Sequence, residues 1–196
     1  MIESKSELLY YLQQDKIALF NENKKKPDLF KDEIWKFEIL LRKNEYCTNC
    51  LRKLWHVPYK YWIKWRFHKL SIKLGFSIPI NVIGPGLSIA HYGTIVIGYA
   101  KIGKNLRIQE GVNIGSTNGE RNAATIGDNV FIGTGAKVIG DITIADGVAI
   151  GANSVVCRSI KESGITVAGV PAKKISNNGA KGFINSNLFL DSEERL

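Results

Sequence analysis

This chain of 196 residues has few of the usual markers of export, membrane insertion or metal binding. It lacks any run of about 18 apolar residues, which argues against a helix that spans a bilayer. Its opening, MIESKSELLYYLQQDK, carries charges where a signal peptide needs an apolar stretch, so export is not expected. Cysteine is scarce: Cys47, Cys50 and Cys157 leave one thiol over from any pairing, which fits a reducing, cytoplasmic compartment. Cys47-Thr-Asn-Cys50 is half of a structural zinc site, but no second CxxC or HxxxH completes four ligands, so no metal is expected. Of the three histidines, only His91 lies beyond residue 76. Acidic residues are missing from 51–75, where seven basic residues go unopposed.

That last absence divides the chain. Residues 1–75 hold 16 of the 27 Lys and Arg, and all four tryptophans (Trp35, Trp55, Trp62 and Trp65). This part reads as helical. Ser4-x-x-Glu7 forms a capping box ahead of LLYYLQQDKIALF. Pro27 suits a helix start, and Phe30, Ile34, Phe37 and Leu41 then share one helical face. Pro58 opens a third, cationic helix in which Trp55, Tyr59, Tyr61, Trp62, Trp65 and Phe67 interleave with basic residues. These aromatics are expected to pack the helices onto the next region and onto neighbouring subunits. A nucleic-acid partner is not expected, and peripheral contact with an anionic membrane is the alternative use of such a surface.

From Val96 onward a different rule holds. Apolar residues fall at Ile102, Ile108, Ile114, Ile126, Ile132, Val138, Ile144, Ile150 and Val156, six apart except for one gap of twelve. Upstream, Ile83, Ile89 and Ile95 keep the spacing of six in a register shifted by one. Gly follows the apolar residue at 103, 115, 127, 133 and 151, supplying either positive φ or close backbone approach at a corner. No helical period holds six in phase over ten repeats. A solenoid of three short strands per coil does, with the apolar residues stacked inside.

The stretches GPGLSIAHYGTIVIG, IGTGAKVIGDITIADGVAIGANSVV and ITVAGVPAKKI resemble the hexapeptide-repeat acyltransferases, in particular their serine acetyltransferase-like branch. The resemblance implies a mainly β fold: a left-handed parallel β-helix over 77–176, behind an α-helical N-terminal domain over 1–76 and before a C-terminal tail over 177–196. It further implies acetyl-CoA as co-substrate, bound between the subunits of a homotrimer; trimer and dimer of trimers stay open as the assembly. A γ-class carbonic anhydrase shares the coil but needs three histidines for its metal, and the repeat region has one.

His91 matches the histidine that this branch uses as general base. As third residue of the hexapeptide beginning at Ile89, it should point out of the coil. An alcohol attacking a thioester must lose its proton, and an imidazole with an ordinary pKa of about 6.5 can accept it at neutral pH. Direct transfer follows, with corner backbone amides as donors to the oxyanion. For the cofactor, the resemblance points to Thr134, Ala136 and Ala152 along the pantetheine arm. It places Cys157 and Arg158 near the nucleotide, and Lys173 and Lys174 facing the CoA phosphates.

Three departures bear on the acceptor. The branch usually shows Asp-His-Ala-Thr-Gly where this chain has Ala90-His91-Tyr92-Gly93-Thr94. FSIPINVIG lacks a further aspartate, and Arg121 is followed by Asn122 where the branch has a second histidine. The twelve-residue gap after Ile114 is expected to loop toward the active site. Tyr92, Asn113, Asn118, Glu120, Arg121 and Asn122 are then the candidate acceptor contacts, in a pattern suited to a hydroxyl-rich sugar. The expected function is O-acetylation of a sugar, sugar-nucleotide or lipid-linked precursor of a surface polysaccharide. Serine O-acetylation for cysteine synthesis is the first alternative, and a catalytically silent trimeric scaffold the second.

Overall fold

A computed structural model describes residues 1–117 and 122–190. Three helices lead: α1 (Lys5–Ala18), α2 (Glu33–Cys50) and α3 (Val57–Leu74). Ser4 Oγ accepts the Glu7 N–H at 3.1 Å, but the Glu7 carboxylate takes the N–H of Glu3 rather than that of Ser4. The capping box is thus displaced by one residue. Pro58 sits in the first turn of α3, and Gly75, at φ 76°, ends it in the left-handed conformation. Pro27 does not start a helix. It lies in the connection before α2, whose entry is Asp32, and Phe30 is 85 % exposed rather than on the buried face. Phe37 of α2 packs against Phe67 of α3 at 5.3 Å and against Phe76, the first strand residue, at 5.0 Å.

The remaining strands form a three-faced parallel coil. The first face stacks Phe76–Ser77, Ile95–Ile97, Asn113–Gly115, Lys137–Ile139 and Val155–Val156. The second stacks Lys101–Ile102, Thr125–Ile126 and Thr143–Ile144, extended by single bridges to Ile83 and Ile160. The third stacks Ser88–Ile89, Arg107–Ile108, Phe131–Ile132, Ala149–Ile150 and Thr166–Gly169, and the antiparallel strand Ala172–Ser176 closes it. The repeating apolar residues fill the interior, Ile108, Ile114, Ile132, Val138 and Ile150 with no exposed surface.

Two details differ from the periodic expectation. Ile97, not Val96, pairs with Ile114, and Val96 is only half-buried. Successive strand side chains face opposite ways, so a one-residue displacement exchanges inside for outside. The left-handed corner residues come three places after the inward one, at Asn105, Asn129 and Asn153 (φ 58°, 56° and 55°). Asparagine tolerates this conformation, and Asn105 Nδ2 donates to Asn129 Oδ1 of the next coil at 2.8 Å. The glycines directly after the inward residue serve close approach instead: a Cβ on Gly84 would lie 2.6 Å from the Gly103 carbonyl oxygen.

A coil has an open end, and its first turn must find partners for backbone groups that no earlier strand pairs. The helices supply them with buried polar and charged side chains. Asp15 Oδ1 accepts the N–H groups of Gly86 and Leu87 at 2.9 and 2.8 Å. Glu45 Oε1 accepts that of Asn81 at 2.8 Å, and Glu38 Oε1 that of Ile89 at 3.1 Å. Arg42, fully buried, donates to the carbonyls of Ile83 and Gly84 at 2.8 and 2.7 Å and pairs with Asp15 at 2.7 Å. Burial alone would lower the Arg42 pKa, but the charges of Asp15 and Glu45 outweigh it and hold the guanidinium ionised. For Glu38, burial and then the Asp15 charge push the carboxyl well above its ordinary range.

The chain end returns along the third face. Phe183 stacks on Phe131 at 4.0 Å, and Asn185 Nδ2 donates to the carbonyl of Ile17 in α1 at 2.6 Å. Residues 180–188 thereby cover Phe131 and Ala149, which point outward from the coil. Of the aromatics in and just before α3, only some pack onto the coil. Phe67 joins the core, whereas Trp55, Tyr61, Trp62 and Trp65 remain exposed.

Removing Arg42 leaves buried carboxylates without their cation, so Arg42→Ala should lose about 3–5 kcal/mol in urea denaturation. Glu38 makes the opposite prediction. Unfolded, it releases its proton near pH ~4.3, while the folded carboxyl keeps its proton to higher pH. Stability therefore falls as pH rises through that window. Glu38→Gln retains an acceptor for Ile89 and abolishes the titration. Its stability relative to the parent should improve as pH rises above about 4; a pH-independent difference would contradict the assignment.

Candidate functional site

The corner that carries His91 is longer than the one stacked beneath it. Ile89 pairs with Ile108 on the third face, and Ile97 with Ile114 on the first. Eight residues thus separate the faces in the first coil and six in the second. The two extra residues push the segment Ala90-His91-Tyr92-Gly93-Thr94 outward. Its ends are pinned: Ala90 donates to Ile108 O at 3.0 Å, Gly93 to Leu74 O at 3.2 Å, and Thr94 O accepts from Gly111 at 2.7 Å. Between the pins, His91 and Tyr92 are exposed. Neither their backbone N–H groups nor the imidazole has a hydrogen-bond partner among the described residues.

Under this bulge lies Glu110. A Cβ placed on Gly93 would stand 3.1 Å from the Glu110 Cβ, and Glu110 Oε2 is buried with no partner among the described residues. Tyr92 walls two hollows. One, of 610 Å³, is shared with Glu33, Ile72, Lys73, Gly93 and Thr94; the other, of 370 Å³, is shared with Asn21, Phe30, Trp35 and Ala90.

Thr134 and Ala152 occupy the same corner in later coils, following Ile132 and Ile150 of the third face. With strands about 4.8 Å apart, they lie roughly 10 and 14 Å along the edge from His91. The Ala152 N–H has no acceptor among the described residues and is free for a ligand. Thr134 is not free: its N–H and hydroxyl both donate to Gln109 Oε1, at 3.0 and 3.1 Å. Gln109 and Glu110 did not emerge from the sequence. Their signal was their offset after Ile108, which matches that of Ala90 and His91 after Ile89. Ala136 must be dropped from the cofactor contacts. It fills the coil interior with no exposed surface, its N–H bonds Gly133, and its carbonyl accepts from Asn113.

The other expected residues lie elsewhere. Asn113 is half-buried in the first face beside Lys137, whose Nζ donates to the Gly111 carbonyl. Cys157 and Arg158, both exposed, follow Val156 at the next edge of the prism, between the first and second faces. The long insertion leaves the coil at that same edge, and Asn122 is exposed there, whereas Asn118, Glu120 and Arg121 lie outside the described residues. Lys173 and Lys174 are exposed in the closing strand; Lys174 is paired with Glu162, while Lys173 has no ion pair among the described residues. One chain therefore carries the proposed base and the proposed nucleotide contacts on two separate edges.

Comparison with known proteins places this geometry. Residues 123–158 match the family described as bacterial transferase hexapeptide (six repeats). Those residues carry the repeats of that family, and the chain has the left-handed β-helix fold behind N-terminal helices. It is similar to serine acetyltransferases. That of Staphylococcus xylosus is 46 % identical over 116 residues, 56 % of this chain and 53 % of the relative. The chain thus spans about half the length of the curated relatives it matches. A serine acetyltransferase from Brucella abortus solved with coenzyme A aligns over 90 % of this chain and 70 % of its own, at 26 % identity and a TM-score of 0.66. A Neisseria gonorrhoeae serine acetyltransferase solved with serine aligns over 86 % and 69 %, at 27 % identity and a TM-score of 0.66.

These relatives overturn the expectation of a sugar acceptor and of a place in polysaccharide synthesis. That expectation rested on single side chains, the missing acidic and histidine groups around His91 and Arg121. Such groups are replaceable one at a time, whereas the match to serine acetyltransferases extends over coil and helices together.

Thiol exposure offers a direct check on the edge assignment. Cys157 is exposed and Cys47 buried, and burial raises the pKa of Cys50. Under native conditions a maleimide should label Cys157 first and Cys47 last, as read by peptide mass mapping.

Proposed function

We propose that this chain transfers the acetyl group of acetyl-CoA to the hydroxyl of L-serine, giving O-acetylserine and free CoA. The observation that carries the reading is the outward-pushed corner, which presents an imidazole and two unpaired N–H groups to solvent. The serine acetyltransferases that it resembles supply the substrate pair.

Two substrates meet at His91. The neutral imidazole accepts the proton of the serine hydroxyl as its oxygen bonds to the thioester carbonyl carbon. Negative charge moves onto the carbonyl oxygen, where the N–H groups of His91 and Tyr92 are the donors on hand. Collapse breaks the carbon–sulfur bond, and the imidazolium returns its proton to the departing sulfur. No acyl-enzyme forms. Acetyl-CoA is the acyl donor; the residues that fit it are Ala152, through its open N–H, and the cations Arg158 and Lys173 for phosphates. Gln109 must release Thr134 before that residue can contribute.

A homotrimer suits this reading, because two copies side by side would set the His91 edge of one against the Arg158 edge of another. Cytoplasmic residence is supported by three free thiols.

The test is thiol release and O-acetylserine formation from acetyl-CoA and L-serine. His91→Ala should lower kcat/KM by at least about 10²-fold while CoA still protects Cys157 from maleimide. No acetyl transfer to serine by the parent protein would sink the reading.

A further inference from the structure

The helical region presents a cationic, aromatic face that the proposed reaction does not use. Helix α3 buries only Ile63 and Leu74. Its outer side and the short turn before it expose Leu54 (86 %), Trp55 (71 %), Tyr61 (69 %) and Trp65 (57 %). Cations sit over three of the rings: Lys53 over Trp55 at 4.8 Å, Arg66 over Trp62 at 4.9 Å, and Lys69 over Trp65 at 5.9 Å. Beside Trp62, between α3, α2 and the connection before α2, runs a groove of 990 Å³. Lys25, Lys26, Lys31, Lys43 and Arg66 line it, and none of these has an ion pair among the described residues.

We propose that this face docks the protein onto an anionic phospholipid surface. Charge complementarity selects the partner. Residues 51–75 contain seven cations and no acid, so two such faces would repel one another rather than form an isologous contact. The exposed aliphatics distinguish lipid from nucleic acid. Leu54 gains nothing from a phosphodiester backbone but is stabilised in the headgroup boundary, where Trp and Tyr rings also settle and lysine stems reach outward to lipid phosphates. The far end of α3, at Ile72 and Lys73, borders the hollow that Tyr92 walls, so the docked protein would hold its reactive corner close to the bilayer. This inference does not depend on the identity of the acceptor.

The test uses the full-length protein with phosphatidylcholine vesicles, with and without phosphatidylglycerol, in co-sedimentation and tryptophan fluorescence. Binding should require phosphatidylglycerol, shift the emission to the blue, and fall at least about ten-fold on raising salt to about 0.5 M. The triple variant K25E/K26E/K43E should weaken binding at least about ten-fold, and W62A/W65A should abolish the blue shift. Both variants should keep the parent's circular dichroism and its acetyl-transfer rate in lipid-free buffer. Equal binding to neutral vesicles, no binding to anionic ones, or unchanged binding by the triple variant would overturn the proposal. So would a lipid-free oligomer, seen by sedimentation velocity, that W62A/W65A dissociates, since the face would then belong to a second copy.

Discussion

The structure depends on how the open end of the coil is closed. A parallel solenoid satisfies each strand with the coils above and below it, but its first turn has only one neighbour. Here Asp15, Glu38, Arg42 and Glu45 take that missing coil's place, bonding backbone groups at Asn81, Ile83, Gly84, Gly86, Leu87 and Ile89. Buried polar side chains make strong bonds to backbone groups, and losing Arg42 would leave its acidic partners without their cation. The network therefore fixes helices α1 and α2 on the coil, and the last of its contacts is two residues from His91.

That proximity gives the N-terminal helices a part in the site. The strand entering the His91 corner is held by Glu38, and the strand leaving it pairs with Phe76–Ser77, just after α3. With both ends anchored, the two additional residues can only project outward. A corner of ordinary length would have kept the segment near the line of Gln109 and Glu110 below. Corner length, more than the presence of a histidine, thus accounts for an exposed imidazole at this edge.

The residues expected at the base and at the nucleotide lie on different edges of the coil. The corner with His91 and Ala152 forms one edge of the prism, and Cys157, Arg158 and the insertion after Ile114 belong to the next. The C-terminal return covers the outer third face with Phe183 and its neighbours, which leaves the first face and its two flanking edges open.

The sequence by itself determined the coil, because an inward residue every sixth position is a local, repeated constraint that any short window displays. It also located the helix starts at Ser4 and Pro58 and the exposed corner at His91. It misplaced Val96 by one residue, since the eight-residue corner interrupts the repeat that would have set the register. Tertiary structure alone decided that Arg42 meets Asp15 and Ile83, that Gln109 occupies Thr134, that Lys174 is paired with Glu162, and that Ala136 faces inward. It also left Trp55, Tyr61 and Trp65 off the coil, one of the two places where packing was expected. These contacts join residues far apart in the chain, or on successive coils, where no periodic pattern records which side chains will meet. The proposed acceptor comes from the relatives, because acceptor specificity depends on a few replaceable groups rather than on the repeat that builds the fold.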